Sequence, residues 1–334
     1  MADKNTSKNL ALVADIGGTN ARFALMEPSG HDIVSPLILP CADFPSLADA
    51  AKAYLKKMAP ETKPRVAAFD VAGPVIGDVA KLTNHPWRIE VPAVRRELGL
   101  DRLEIINDFA ALAYAVPRLT EDDRATLRAG SPDAKGPIAL IGPGTGLGVA
   151  TVIPNGKGGW TRLASEGGHV TATAADDRDD AILAYLRKHF DHVSAERVLS
   201  GQGLTNLHAA ISALEGKSTD AVTPEHISEQ YKAGDPIAQE TLARFFAMLG
   251  TVSGNLALTV GAQGGVAIAG GIVPRYLKEI AASDFEKRFL GKGRLKTYLD
   301  PIPVWVVTHP LPAFIGLAGL LGEMVESKTP ALAD

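Results

Sequence analysis

Cysteine is nearly absent: Cys41 is the only one in 334 residues. That excludes an internal disulfide framework and any zinc site built from several thiolates, and it fits a reducing compartment. An excess of one charge is missing too. A formal net charge of −4 offers no basic field to nucleic acid or to an anionic membrane surface. No complete Gly-x-x-x-x-Gly-Lys-Ser/Thr run occurs, so a P-loop is excluded. No secretory signal is visible, because Met1 to Asn9 is polar and the apolar stretch after it is cut short by Asp15. One long uncharged run does exist, between Arg244 and Arg275. Gly261-Ala262-Gln263-Gly264-Gly265 interrupts it, which predicts a core helix followed by a short buried strand at Val266–Ala269, not a membrane span. The expectation is a soluble, cytoplasmic protein of two domains, each large enough to bury a core.

Against these absences stand two glycine-threonine turns. Asp15-Ile16-Gly17-Gly18-Thr19-Asn20 is entered from Leu10–Ala14 and left through Ala21–Leu25. Gly142-Pro143-Gly144-Thr145-Gly146-Leu147-Gly148 is entered from Ile138–Ile141 and left through Val149–Ile153. Each reads as strand, tight turn, strand, with glycine expected to supply positive φ. Backbone N–H groups in such turns form nests that bind phosphate. Two of them suggest duplicated halves gripping one polyphosphate from both sides. A carboxylate at Asp15 would repel that phosphate unless a divalent cation lay between them, so Mg²⁺ is implied; a local turn bond is the plainer alternative.

The first part of the chain reads mostly as strands: Leu10–Ala14, Ala21–Met26, Ile33–Leu39, Arg65–Val71, Val79–Leu82 and Glu104–Ile106. A helix is expected at Ser46–Met58 and another, alanine-rich, from Phe109 to Ala115. The polar stretch Pro117 to Gly136 is the expected crossing between halves. Helical spacing then dominates at Asp177–Phe190, Ser194–Leu199 (with Ser194 as N-cap), Gly203–Leu214, Pro224–Lys232 and Pro236–Val260. A helix after Pro274, a strand at Val304–Val307 and a final helix from about Pro312 to Glu326 follow. Strands early in each half and helices after them predict two α/β domains on mixed sheets, with a ligand cleft between them.

Several polar residues stand where such a cleft would need them. Asn107-Asp108 ends a strand and starts a helix, where the Asp is either a first-turn acid or a proton acceptor and the Asn bonds a neighbouring hydroxyl. Ser165-Glu166-Gly167-Gly168-His169 sets a carboxylate and an imidazole around a glycine pair, able to converge on one small polar ligand or to form an ordinary surface loop. Glu196 is a weaker candidate of the same kind. Gly270-Gly271, after the buried strand Val266–Ala269, would let a nucleobase or ribose lie against bare backbone at a helix N-terminus, or serve close packing.

Taken together these motifs resemble the bacterial glucokinases of the hexokinase–actin–heat-shock chaperone ATPase superfamily. The resemblance covers Asp15 to Asn20, Leu82-Thr83-Asn84-His85-Pro86-Trp87, Glu104 to Phe109, Gly144 to Gly148, Glu166 to His169, His192 to Gly201 and Gly265 to Arg275. It implies a two-domain actin/hexokinase-like (ribonuclease H-like) α/β fold with an interdomain active-site cleft. The small domain would hold residues 1–117 plus about 310–334, and the large one residues 118–309. It further implies ATP-dependent phosphorylation of D-glucose at its 6-hydroxyl with Mg²⁺, at the entry to glycolysis, by a homodimer. By motif, Asp108 is the expected catalytic base, and Asn107, Glu166, His169, Glu196, Thr83 and Asn84 the sugar-site residues. Ala14, Asp15, Ile16, Gly17, Gly18, Thr19 and Asn20, with Gly144, Thr145 and Gly146, are expected to hold the phosphates. Gly270 and Gly271 would face the adenosine, and Asp15 would hold Mg²⁺ through water. No Cys-rich zinc motif follows His169, so the chain looks like the non-zinc branch rather than the related ROK kinases.

Rival readings are an actin- or chaperone-like ATPase, a sugar-responsive repressor, and a kinase for mannose or fructose. About nine residues precede the first strand, too few for a helix-turn-helix. No polymerisation or peptide-binding segment is expected after about Glu326. A different hexose stays open.

Overall fold

The computed structural model describes residues 10–82, 85–156, 159–220 and 222–326. The chain divides into two compact units, one of Met1–Leu119 with Pro310–Asp334, the other of Thr120–His309.

In unit one the order is β1 (Ala11–Ile16), β2 (Asn20–Met26), β3 (Val34–Pro40), α1 (Leu47–Met58), β4 (Val66–Val71), β5 (Val75–Ile76), β6 (Val79–Lys81), β7 (Arg88–Glu90), α2 (Val91–Leu98), β8 (Arg102–Asn107) and α3 (Asp108–Ala115). The main sheet runs β3-β2-β1-β4-β8. β1 to β3 form an antiparallel meander, while β4 and β8 extend the sheet in parallel from β1. Period-2 alternation explains why β1 is central. Leu12, Ala14 and Ile16 join Phe69, Val71 and Tyr54 on one face, and Ala11 and Val13 join Ala68, Phe314 and Leu317 on the other. Both faces are covered, so the strand reads as a continuous apolar run broken only by Asp15. Ser46 starts α1 by accepting a bond from the Asp49 N–H, a cap worth about 1 kcal/mol.

Unit two repeats the plan with β9 (Arg124–Arg128), β10 (Ile138–Pro143), β11 (Leu147–Pro154), β12 (Trp160–Ser165), α4 (Asp177–Leu186), α5 (Gly201–Leu214), α6 (Pro224–Lys232), α7 (Pro236–Val260), β13 (Gly265–Ile268), α8 (Leu277–Ala281), α9 (Phe285–Leu290), α10 (Lys296–Leu299) and β14 (Val304–Val307). Its sheet runs β12-β11-β10-β13-β14-β9. The first five positions match unit one strand for strand, including the direction of each pairing. The closing helix α11 (Pro312–Glu326) belongs to unit one, where Phe314, Leu317 and Leu321 fill the second face of the sheet.

Four expectations need correction. The stretch Pro117–Gly136 is no plain crossing: it carries β9, an antiparallel edge strand on β14. Its alternation is short and charged, because only one face of an edge strand must be apolar. Ser194–Leu199 is a single 3₁₀ turn, Ala195–Arg197, and the Ser194 side chain caps nothing; Ser200 caps α5 by accepting the Gly203 N–H. Gly271 is followed by a 3₁₀ turn, Val273–Tyr276, before the five-residue α8. Neither glycine-threonine turn places a glycine at positive φ. The exclusion of a P-loop stands: the short run Gly216-Lys217-Ser218 trails α5, with Gly216 at φ +65° as its terminator, whereas a P-loop precedes its helix. The apolar helix α7 is long enough to cross a membrane, and its Leu242, Phe245, Phe246 and Leu249 are buried in the core of unit two.

Candidate active site

The turn after β1 comprises Gly17, Gly18 and Thr19 and is closed by the Gly17 N–H donating to the Asn20 carbonyl at 2.9 Å. From behind, the Cys41 N–H donates to the Thr19 carbonyl at 2.8 Å and its thiol reaches the Gly17 carbonyl at 3.5 Å. Asp15, one residue before the end of β1, pairs in register with Arg22 on β2, whose Nη1 donates to Oδ2 at 2.8 Å. This cross-strand cation is a partner that sequence reasoning missed.

It also missed Asp70. Asp70 lies beside Asp15 in the parallel β1–β4 register and is fully buried. No donor reaches either carboxyl oxygen. Burial pushes its pKa well above the ordinary 3.8, and the Asp15 and Asp108 carboxylates push it further. As a neutral acid its remaining option is to donate to Asp15. The signal was legible, since a single charge sits inside the buried strand Val66-Ala67-Ala68-Phe69-Asp70-Val71.

This carboxyl has a stability consequence. Below pH 3.8 both folded and unfolded chains hold the proton; above it only the unfolded chain releases it, so Asp70 destabilises the fold increasingly as pH rises. Asp70→Asn keeps a donor toward Asp15 and cannot titrate. Thermal unfolding should show it more stable than the parent near neutral pH by about 1–3 kcal/mol, with the difference vanishing toward the acid end. An unchanged or lower midpoint at neutral pH would contradict this.

At the end of β8, Asn107 turns the chain into α3. Its side-chain Oδ1 accepts the Phe109 N–H at 2.9 Å and its Nδ2 donates to the Gly73 carbonyl at 3.1 Å. Asp108 shares the same Phe109 N–H at 2.8 Å. Burial raises the Asp108 pKa, the Phe109 N–H opposes that, and the Asp15 charge adds to it; the net shift is upward. Unit one therefore gathers Asp15, Asp70 and Asp108 around its first turn. Thr83 and Asn84 lie outside the described residues.

In unit two, backbone bonds from the Ala195 N–H to the Val170 carbonyl (2.8 Å) and from the Ala172 N–H to the Val193 carbonyl (2.9 Å) lay the Glu166–His169 loop beside the Ala195–Arg197 turn. His169 and Glu196 thereby line one open cavity of about 400 Å³, with His189, Asp191, His192 and Arg197. Glu166 does not line it; its carboxylate is 4.0 Å from His169 Nε2 and almost wholly exposed. The second turn, Gly144-Thr145-Gly146, is closed by the Gly144 N–H on the Gly146 carbonyl at 2.8 Å. Gly270, at φ +85°, lies so close to the Pro143 carbonyl that a Cβ there would collide with it, so the Gly270-Gly271 corner sits beside this turn. Gly144 and Gly271 both face open space.

These residues fit the groups the resemblance implies. Carboxylate oxygens at Asp15 and Asp108 are the hard donors that Mg²⁺ prefers, whereas the buried, neutral Asp70 offers none, and two of the three glycine corners leave room for a ligand against bare backbone.

A family model for glucokinases matches residues 12–324. A glucokinase of Paramagnetospirillum magneticum is 52% identical over 94% of this chain and 98% of its own length. The crystal structure of a glucokinase from an Antarctic psychrotroph superposes with a TM-score of 0.88 at 39% identity, covering 94% of this chain and 99% of that one. A ROK-family glucokinase from Streptomyces griseus, solved with glucose and AMPPNP, shares the fold at 20% identity and TM-score 0.64, covering 95% of this chain and 99% of that one. The duplicated sheets and twin turns are thus those of sugar kinases with the actin-like ATPase fold, and the chain belongs to the bacterial glucokinase family, outside its ROK branch.

Proposed function

We propose that this protein transfers the γ-phosphoryl group of ATP to the 6-hydroxyl of D-glucose, with Asp108 as the general base. One observation carries the assignment. Both units build the same sheet and turn, but only unit one places an aspartate, raised by burial, at the first residue of the helix leaving its last parallel strand. A base whose pKa lies above the ordinary carboxylate value accepts a proton more readily.

The residues divide the work. Asp108 takes the hydroxyl proton as the oxygen–phosphorus bond forms, while Asn107 fixes the β8–α3 corner that aims it. Glu166, His169 and Glu196 bind sugar hydroxyls, as Thr83 and Asn84 do by family likeness. The turns 17–19 and 144–146 offer N–H groups to the phosphates, and Gly270-Gly271 faces the adenosine. Mg²⁺, when bound with the nucleotide, supplies positive charge to the phosphate oxygens, and Asp15 would hold it through water. The same likeness extends the reading to a cytoplasmic homodimer at the entry to glycolysis.

The decisive test is a coupled assay of purified protein with Mg-ATP and a panel of sugars. Strong turnover with glucose alone is the expected result; ATP hydrolysis indifferent to every sugar would overturn the reading, and preference for mannose or fructose would reassign the substrate. The pH profile of kcat/KM, which reports the free enzyme, carries a further expectation. The base works only when ionised, so its raised pKa should move the acid limb above the ordinary carboxylate value of 3.8. A limb at or below that value would separate the limb from Asp108.

A further inference from the structure

We propose that Glu196 is a positioning residue that links the sugar side of unit two to its phosphate turn, so that sugar and nucleotide each tighten binding of the other. The inference rests on the roles assigned above to Glu196 and to residues 144–146. Glu196 Oε2 accepts the N–H of Leu147, the residue leaving that turn, at 2.9 Å. A second staple lies five residues on, where the Gly201 N–H donates to the Gly144 carbonyl at 2.8 Å. Between the two, the Ser200 hydroxyl donates to the Glu196 carbonyl at 2.9 Å and accepts the Gly203 N–H at 3.0 Å. The segment carrying Glu196 is therefore pinned both to the turn and to the start of α5.

A carboxylate has two oxygens, and only one is spent on Leu147. Glu196 also lines the cavity that His169 lines, where its second oxygen can take a hydroxyl. On the opposite side Gly168, in the loop between Glu166 and His169, packs directly on the Leu147 carbonyl. Both sugar-side segments thus lean on Leu147, the residue that follows the phosphate turn. Sugar that fixes Glu196 fixes the Leu147 N–H and the turn before it; nucleotide that orders the turn orders Glu196. By linkage the two effects are equal.

Gly146 provides the test. A Cβ on it would meet Glu196 Oε2 at 2.6 Å. Gly146→Ala is a change in the phosphate turn whose nearest victim is the sugar-side carboxylate. Titration calorimetry on the full chain would measure the glucose Kd alone and with Mg-AMPPNP, for the parent, Gly146→Ala and Glu196→Met. The parent should bind glucose at least about five-fold tighter with the analogue present. Gly146→Ala should weaken glucose by about ten-fold even without nucleotide and bring the coupling near unity. Glu196→Met, which keeps a similar length but offers no strong acceptor to the Leu147 N–H or to a hydroxyl, should lose the coupling too, and retained coupling in it would overturn the link; it carries the test alone if the alanine variant does not fold. A Gly146→Ala protein with parental glucose affinity and coupling, or a parent that binds both ligands without coupling, would overturn the link while leaving the kinase reading intact. A parent that binds no glucose at all would sink both.

Discussion

Replacing Asp108 with alanine should cost roughly two to four decades of kcat while leaving glucose affinity nearly unchanged. The reason is that Asp108 is asked to act late, when the hydroxyl proton must leave, and not to hold the sugar in the ground state. The loose transition state of phosphoryl transfer needs little nucleophilic push, so the loss reflects proton removal and alignment. The helix should survive, since the Asn107 side chain still caps the Phe109 N–H at 2.9 Å. Stopped-flow or coupled kinetics with a separate glucose titration would measure both quantities. Near-parental kcat would remove Asp108 from the role, and a parallel collapse of glucose affinity would recast it as a binding residue.

How far the sequence revealed this arrangement depended on the kind of signal. Strands β1, β2 and β10 were visible because both sheet faces are covered, leaving apolar runs such as Leu10–Ala14 and Ile138–Ile141. The duplicated plan was visible because each run breaks at the same glycine-threonine corner. Edge strand β9 was not, because Arg124-Ala125-Thr126-Leu127-Arg128 needs only one apolar face and is flanked by charge. The short helix at Val91–Leu98 escaped for a similar reason, with a single buried residue, Val94. The expected role of glycine was right in place and wrong in cause. Those in the turns are not at positive φ; Gly146 instead avoids a contact with Glu196, which lies 50 residues away and has no local signature, and Gly144 faces open space. Asp108 and Asn107 were found through the strand–helix junction. Asp70 was passed over, although a charge in a buried strand is the strongest anomaly a strand can show. Its meaning depends on register, which puts it beside Asp15, and register across a parallel pair is not local information.

The same distinction between place and cause separates two neighbouring glycines. Gly270 combines φ +85° with a Pro143 carbonyl already occupying the space a Cβ would take. Alanine there is strained twice, once in its backbone and once against main chain that cannot rotate away. Relief requires β13's exit to move off the end of β10, where the Ala269 N–H donates to the Ile141 carbonyl at 2.8 Å and the second phosphate turn begins one residue past Pro143. Gly270→Ala is therefore expected to destabilise the protein by about 2–4 kcal/mol and to weaken Mg-AMPPNP binding at least ten-fold in the fraction that folds, roughly 1.4 kcal/mol of affinity. Gly271→Ala is the matched control: its Cβ would meet nothing within 4 Å, so thermal stability should stay within about 0.5 kcal/mol of the parent. Denaturant unfolding and nucleotide titration on the pair separate the two causes. If both variants lose nucleotide equally with stability intact, the corner is needed as open space for the ligand; if Gly270→Ala alone fails, it is needed as a close crossing of two strands, and the phosphate turn inherits its shape from that crossing.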